Sequence, residues 1–214
     1  MTRQFSDLDP ARVRANVDLV RERIAAAGRD PRDVELLAAV KYVPLQELPK
    51  LAEAGIELVG ENRAQELTAK HEAHGDLFEW DFIGALQSRK VKEIAPLARL
   101  IHSVASESAL AQLDRYPARE VLIQVNVAAE EGKAGVAPGD LGAFLEACPV
   151  PVGGLTTMPP FVERAEDNRR HFARLAELAA EHGLTRLSMG TSQDYEVAVQ
   201  EGATIVRLGS VLYS

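Results

Sequence analysis

The sequence contains one cysteine, Cys148, and no long apolar run. One cysteine excludes an intramolecular disulfide and fits a reducing cytoplasm, where we expect the protein to reside. No stretch approaches the roughly 20 apolar residues of a membrane-spanning helix, and the first ten residues lack the apolar segment of a signal peptide. The net charge of −8 disfavours a nucleic-acid or anionic-membrane binder, because both need clusters of positive charge.

The chain is instead an alternation of helix-like and strand-like segments. Val13, Val17, Val20 and Ile24 repeat at helical spacing and predict an amphipathic helix within residues 1–30. Eight β-prone stretches follow, separated by helical patterns, at residues 35–41, 57–61, 80–84, 100–105, 121–127, 152–158, 187–190 and 204–209. The helix expected at about 162–182 would be the longest in the chain.

This alternation predicts an α/β fold with a parallel sheet, and eight units predict a closed (β/α)8 barrel of the TIM type. An open doubly wound sheet is the competing architecture. It is disfavoured because no Gly-x-Gly-x-x-Gly follows an early strand. The length leaves room for a single domain over 1–214, with the N-terminal helix packed on the barrel.

The first predicted strand ends in a lysine. Glu35 to Tyr42 is an apolar run in which Lys41 stands just before the turn at Pro44. A strand that is apolar on both faces belongs to a buried parallel sheet, and barrels bind their ligands at the carboxyl ends of such strands. Lys41 is therefore a candidate ligand-binding residue. The alternative is a lysine that extends from the strand end into solvent.

The last two predicted strands end in clusters of small residues and hydrogen-bond donors. These clusters are Ser188, Met189, Gly190, Thr191 and Ser192, and then Arg207, Gly209 and Ser210. Barrels often bind phosphate at these two loops, where helix N-termini and hydroxyl groups favour an anion. Asn62, after the second strand, lies at the same predicted end of the barrel. The alternative for the two clusters is a pair of turns that cap a helix.

A phosphate site opposite a strand-end lysine suggests pyridoxal 5′-phosphate (PLP). Its aldehyde condenses with a lysine amine while its phosphate is held separately. The reaction needs a neutral amine, and burial lowers the pKa of a lysine. We therefore expect the amine of Lys41 to be buried. A barrel that acts on a phosphorylated sugar, with Lys41 forming an aldolase-type imine, remains an alternative.

Several strings occur together, in order, between residues 34 and 213. They are GENRAQE at 60–66, WDFIGALQSRK at 80–90, VN at 125–126 with KAG at 133–135, GLTTM at 154–158, SMGTSQDYE at 188–196 and VRLG at 206–209. As a set they resemble the pyridoxal phosphate homeostasis proteins of the YggS/PROSC type. Those are small proteins with an alanine-racemase-like barrel, so the resemblance implies a fold type III PLP barrel without the C-terminal β-domain.

The resemblance also implies roles for particular residues. Lys41 would carry the internal aldimine (the Schiff base), and Arg207 would face the pyridine nitrogen. Ser192, Gly209 and Ser210 would lie at the phosphate.

Four places depart from the family's strings. Lys41 is followed by Tyr42-Val43, where Thr-Lys or Thr-Gln is more familiar. Asp81 stands where His is frequent, Thr191 where Met is frequent, and Ser214 where an aromatic-Gly pair is usual. These differences bear on the rim of the pocket.

The choice between a carrier and an enzyme depends on the side chains expected around the cofactor. An arginine at the ring nitrogen makes the ring a poorer electron sink. None of Tyr42, Tyr116, Tyr195 and Tyr213 has an obvious place as a second base, and the racemase C-terminal domain is not expected. We therefore favour a monomeric PLP carrier in intracellular PLP homeostasis without strong catalysis, with PLP-dependent apo-enzymes as transient partners and no metal. A PLP-dependent amino-acid racemase is the alternative.

Overall fold

The computed structural model describes residues 4–130 and 132–214. The first three residues of the predicted N-terminal segment therefore lie outside the described part. The predicted helix is α1, Pro10–Ala26. The carboxylate of Asp9 caps it by accepting the Ala11 N–H at 3.0 Å, and a proline fits its first turn.

Within the described residues, eight parallel strands form a closed barrel, which confirms the predicted architecture. Each strand pairs with the next, and the last pairs with the first. The strands are β1 Glu35–Ala39, β2 Leu58–Glu61, β3 Glu79–Phe82, β4 Leu100–Val104, β5 Val121–Gln124, β6 Val152–Thr156, β7 Arg186–Thr191 and β8 Ile205–Leu208.

Helices alternate with the strands around the outside of the barrel. After α1, the described chain forms α2 Leu48–Glu53, α3 Ala64–His74, α4 Val91–Ile94, α5 Glu107–Arg115, α6 Leu141–Glu146, α7 Arg169–Glu181, α8 Tyr195–Gln200 and α9 Ser210–Tyr213. None of the described helices is both long and apolar enough to cross a bilayer.

The expectation that the longest helix covers 162–182 is wrong. The α-helix there is α7, with 13 residues, whereas α1 has 17. Arg164 is extended, with φ −113° and ψ 124°, and Ala165–Asn168 form a 3₁₀ turn before α7 begins. Prolines at 159 and 160 disfavour helical geometry at residues 158 and 159, and the extended backbone of Arg164 keeps the segment after them out of the helix.

Side chains alternate between the two faces of each strand. Those that face outward, such as Ala38, pack beneath the helices in the main core. Leu37, Leu100, Leu122 and Ile205 form a second, fully buried cluster inside the barrel. Together with buried polar side chains, this cluster closes the barrel interior, so a site at the carboxyl ends of the strands has a floor.

Candidate functional site

A cavity of about 630 Å³ opens among the loops that follow the strands. Six of the residues predicted for the site line it: Lys41, Asn62, Ser192, Arg207, Gly209 and Ser210. Gly84 and Met158, at the ends of predicted strands, and Thr191, in the predicted cluster after the seventh strand, also line it. Sequence reasoning did not include the remaining lining residues, which are Phe5, Ala39, Tyr42, Ile83, Ala85, Gln124 and Gln193. The inward position of Ala39 and Gln124 at strand ends is the signal that could have found them.

Lys41 lines the cavity, but its expected burial is wrong. The strand β1 ends at Ala39, and Lys41 lies in the turn that follows, with an exposed side chain. Its ammonium nitrogen lies 5.0 Å from the centre of the Tyr42 ring, a cation–π distance. The turn therefore presents the amine at the cavity mouth instead of holding it in the barrel.

Two neighbours fix the position of Asn62: the buried carboxylate of Glu61 and Gly84, which has no side chain. The carboxylate of Glu61 accepts the Asn62 N–H at 2.6 Å. The backbone of Asn62 passes so close to Gly84 that a Cβ there would lie 2.0 Å from the Asn62 carbonyl oxygen. The loops after β2 and β3 can meet at the cavity only because residue 84 is glycine.

Arg207 is a buried cation without an ion-pair partner in the described chain. It is 7% exposed and projects from β8 toward the cavity. Its guanidinium donates to the Ser188 hydroxyl at 2.6 Å, the Thr156 hydroxyl at 2.9 Å and the Thr157 carbonyl at 2.9 Å. Burial lowers the pKa of Arg207 to about 10, so the group stays charged at neutral pH.

Beneath Arg207, the predicted site residue Ser188 and the family departure Asp81 are joined through His102 in a chain of buried polar groups, a connection that sequence reasoning missed. Ser188 contacts His102 at 2.8 Å, and His102 contacts Asp81 at 3.0 Å. Arg99 donates to both oxygens of Asp81, at 2.9 and 2.8 Å. Asp81 is fully buried and thus lies below the rim, not at it. A charged residue inside the apolar stretch at 80–84 was the available signal.

The donors at the other side of the cavity converge on Ser192. Its hydroxyl oxygen accepts the N–H groups of Gly209, at 3.0 Å, and Val211, at 3.4 Å. The nearby carboxylate of Asp194 is engaged elsewhere, because it accepts the Thr191 N–H at 2.7 Å and the Asn168 amide at 2.9 Å. Because Ser192 accepts both N–H groups, its own hydroxyl proton remains as a donor in this corner, without a facing acid, as an anion requires.

Three predicted residues lie behind the cavity lining. Ser188 is fully buried under Arg207, and the side chain of Met189 is in the main core. Gly190 has φ +90°, and a Cβ there would lie 2.6 Å from that of Ala198, so it allows α8 to pack closely. Of the remaining family departures, Tyr42 and Thr191 line the cavity, whereas the Ser214 carbonyl accepts the Asn16 amide at 3.1 Å.

A closed parallel barrel with an amine, a buried guanidinium and clustered donors around one cavity defines a (β/α)8 protein with a site for an anionic small molecule. The family described as alanine racemase, N-terminal domain, matches residues 8–214. The pyridoxal phosphate homeostasis protein of Aquifex aeolicus is 40% identical over 213 residues, which cover 92% of this chain and 93% of that protein. The protein of that name from Pseudomonas aeruginosa is 41% identical over 207 residues, covering 91% and 90%.

A solved structure shows the same likeness. PipY of Synechococcus elongatus with PLP bound is 32% identical and has a TM-score of 0.75, covering 91% of this chain and all of that one. The chain belongs to the family of pyridoxal phosphate homeostasis proteins, within the alanine racemase N-terminal domain family, as the motifs in its sequence predicted.

Proposed function

We propose that this protein binds PLP in the cavity, attached to Lys41, and acts in intracellular PLP homeostasis. When bound, PLP supplies an aldehyde for reversible attachment to an amine and a ring that can accept electrons. The observation that carries the proposal is Arg207, a buried cation with no carboxylate partner among the described residues. Burying an unpaired charge is costly, so the position favours a ligand that brings an acceptor or negative charge.

The other groups around the cavity fit the remaining parts of PLP. The amine of Lys41 stands at one side of the cavity. The hydroxyls of Ser192 and Ser210 stand at the other and suit a phosphate. The N–H groups of Gly209 and Val211 donate to the Ser192 oxygen and so leave the Ser192 proton as a donor for the ligand. The volume of about 630 Å³ falls in the usual range of small-molecule sites. We assign Asn62 to the rim of the cofactor cavity. We assign Ser188, Met189 and Gly190 to the supporting layer behind the cavity wall.

The geometry favours a carrier over an amino-acid racemase. Racemisation needs proton-transferring groups on both faces of the substrate carbon. Tyr42 is the one tyrosine among the described residues that lines the cavity, and it lies beside the Lys41 amine in the same turn. Arg207 adds a fixed cation that does not give up a proton readily at neutral pH. We infer that the protein holds and delivers PLP, with apo-enzymes as transient recipients, and does not turn over amino acids strongly.

The test is covalent capture of the cofactor. The purified protein is titrated with PLP, the visible-edge absorbance is recorded, and the complex is reduced with borohydride before peptide mapping. We expect the label on Lys41 and its loss in Lys41→Ala, with Lys92→Ala, an exposed lysine outside the cavity, as the matched control. A protein that leaves added PLP unbound would refute the proposal.

Turnover and assembly are measured on the same preparation. D- and L-alanine should not interconvert faster than with free PLP. Robust racemisation that disappears in Lys41→Ala would establish the racemase instead. The monomeric state and the cytoplasmic location stay predictions from the sequence, and light scattering of the purified protein checks the first.

A further inference from the structure

Besides its hydrogen bonds to the Thr156 hydroxyl and the Thr157 carbonyl, Arg207 makes one hydrogen bond that depends on the direction of a hydroxyl proton. Its first terminal nitrogen donates to the carbonyl oxygen and the hydroxyl of Ser188, at 2.7 and 2.6 Å. Sheet hydrogen bonding fixes a carbonyl oxygen, whereas a hydroxyl can rotate its proton. Ser188 accepts from the guanidinium only while its own proton points to another acceptor.

Two further side chains fix where that proton goes. Asp81 is a carboxylate, because hydrogen bonds from Arg99 and His102 hold its pKa below the usual range although burial raises it. His102 Nε2, 3.0 Å from Asp81, must therefore carry a proton and donate it. Burial lowers the pKa of His102, so the ring is neutral and Nδ1 is an acceptor for the Ser188 proton at 2.8 Å.

We propose that Asp81 and His102 are positioning residues that aim Arg207 at the ring nitrogen of the bound cofactor, by keeping the Ser188 hydroxyl an acceptor for the guanidinium. Neither residue lines the cavity. The inference rests on the proposed function and adds ligand selection to it. A guanidinium held in this way can only donate, so the site favours a ring with a hydrogen-bond acceptor at that position.

Asp81→Asn tests the donor and acceptor directions of the hydrogen bonds from Ser188 through His102 to residue 81, with little change in side-chain shape. An amide in this place must put its NH₂ group either where Oδ1 faces Arg99 Nε, or where Oδ2 faces both Arg99 Nη2 and His102 Nε2. The second arrangement moves the imidazole proton to Nδ1, and the Ser188 proton then points at the guanidinium. Arg99 keeps its other ion pair, with Glu35 at 2.7 Å.

The probe pair is PLP and its 1-deaza analogue, in which a C–H group replaces the ring nitrogen and the aldehyde and phosphate remain. Wild-type protein should bind PLP more tightly by about tenfold or more, as expected for one hydrogen bond to a charged group. In Asp81→Asn this ratio should fall several-fold toward one. Ser188→Ala, which removes the acceptor itself, should lower the ratio in the same way and serves if the first variant does not fold.

Glu35→Gln is the matched control, because it changes the other partner of Arg99 and leaves Asp81 intact. Its ratio should equal that of the wild type. Variants that lose affinity for both ligands equally, with an unchanged ratio, would show a merely structural role and overturn the inference. Equal binding of both ligands by wild-type protein would also overturn it while leaving PLP binding in place, and only the absence of PLP binding would refute the proposed function.

Discussion

A buried ion pair ties together the two loops that carry Lys41 and Asn62. Lys70 of α3 is 3% exposed, and its ammonium lies 2.6 Å from Glu61 Oε1 and 2.8 Å from the Val40 carbonyl oxygen. Glu61 is fully buried, and its second oxygen accepts the Asn62 N–H. Removing either partner should therefore destabilise the protein and disorder the cavity mouth.

Lys70→Met is the informative change. It keeps most of the side-chain volume but leaves the Glu61 carboxylate buried without a counter-ion, which costs about 3–5 kcal/mol. The free energy of unfolding of an ordinary domain is about 5–15 kcal/mol, so this loss is a large share of the total stability. In the double variant Lys70→Met/Glu61→Gln the uncompensated charge is gone while an acceptor for Asn62 remains. Most of the lost stability should return.

Urea unfolding at pH 7, followed by circular dichroism, measures the free energy of unfolding of each variant. Lys90→Met is the control, because Lys90 pairs with Glu93 at 2.9 Å in a partly exposed position and should lose about 1 kcal/mol or less. A loss below about 1 kcal/mol in Lys70→Met, or a double variant no more stable than the single one, would contradict the electrostatic reasoning.

Three further predictions concern the cavity and the network beneath it. Gly84→Ala should lower both the free energy of unfolding and the affinity for PLP, since its Cβ would lie 2.0 Å from the Asn62 carbonyl oxygen. Urea unfolding and PLP titration measure these two quantities, and unchanged values would contradict the packing argument. Ser192→Ala should weaken binding of PLP but not of pyridoxal, which lacks the phosphate, and equal losses for both would place the phosphate elsewhere. Burial lowers the pKa of His102 below its usual 6.5. Between pH 7 and pH 5 the unfolded chain therefore binds a proton at His102 that the folded chain does not bind, and the free energy of unfolding should fall over this range. His102→Gln should reduce that slope by at most about 1.4 kcal/mol per pH unit, with His171, whose pKa burial also lowers, contributing to the rest. An unchanged slope would mean that His102 binds a proton equally in the folded and the unfolded chain, which would contradict the lowered pKa.

The sequence determined the architecture because the barrel is a repetition of local patterns. Each strand is a short apolar stretch, each helix has its own apolar face, and their alternation requires parallel pairing. The repetition also made the cavity positions of Arg207 and Ser192 predictable, since they lie at the ends of the last two strands, where barrels often bind phosphate. Strand alternation also implies that Ser188 points into the barrel and Met189 out of it, whereas the motif assigned both residues to the site.

Only the tertiary structure decided how the cavity is supported. His102 and Ser188 are 86 positions apart, and Asp81 and His102 are 21 apart, yet barrel closure places them in one hydrogen-bonded chain. The exposure of Lys41 depends on β1 ending at Ala39, before the turn. Such contacts arise from the closed curvature of eight strands, which no single segment encodes, so hydrophobic periodicity predicts the barrel but not the proton directions inside it.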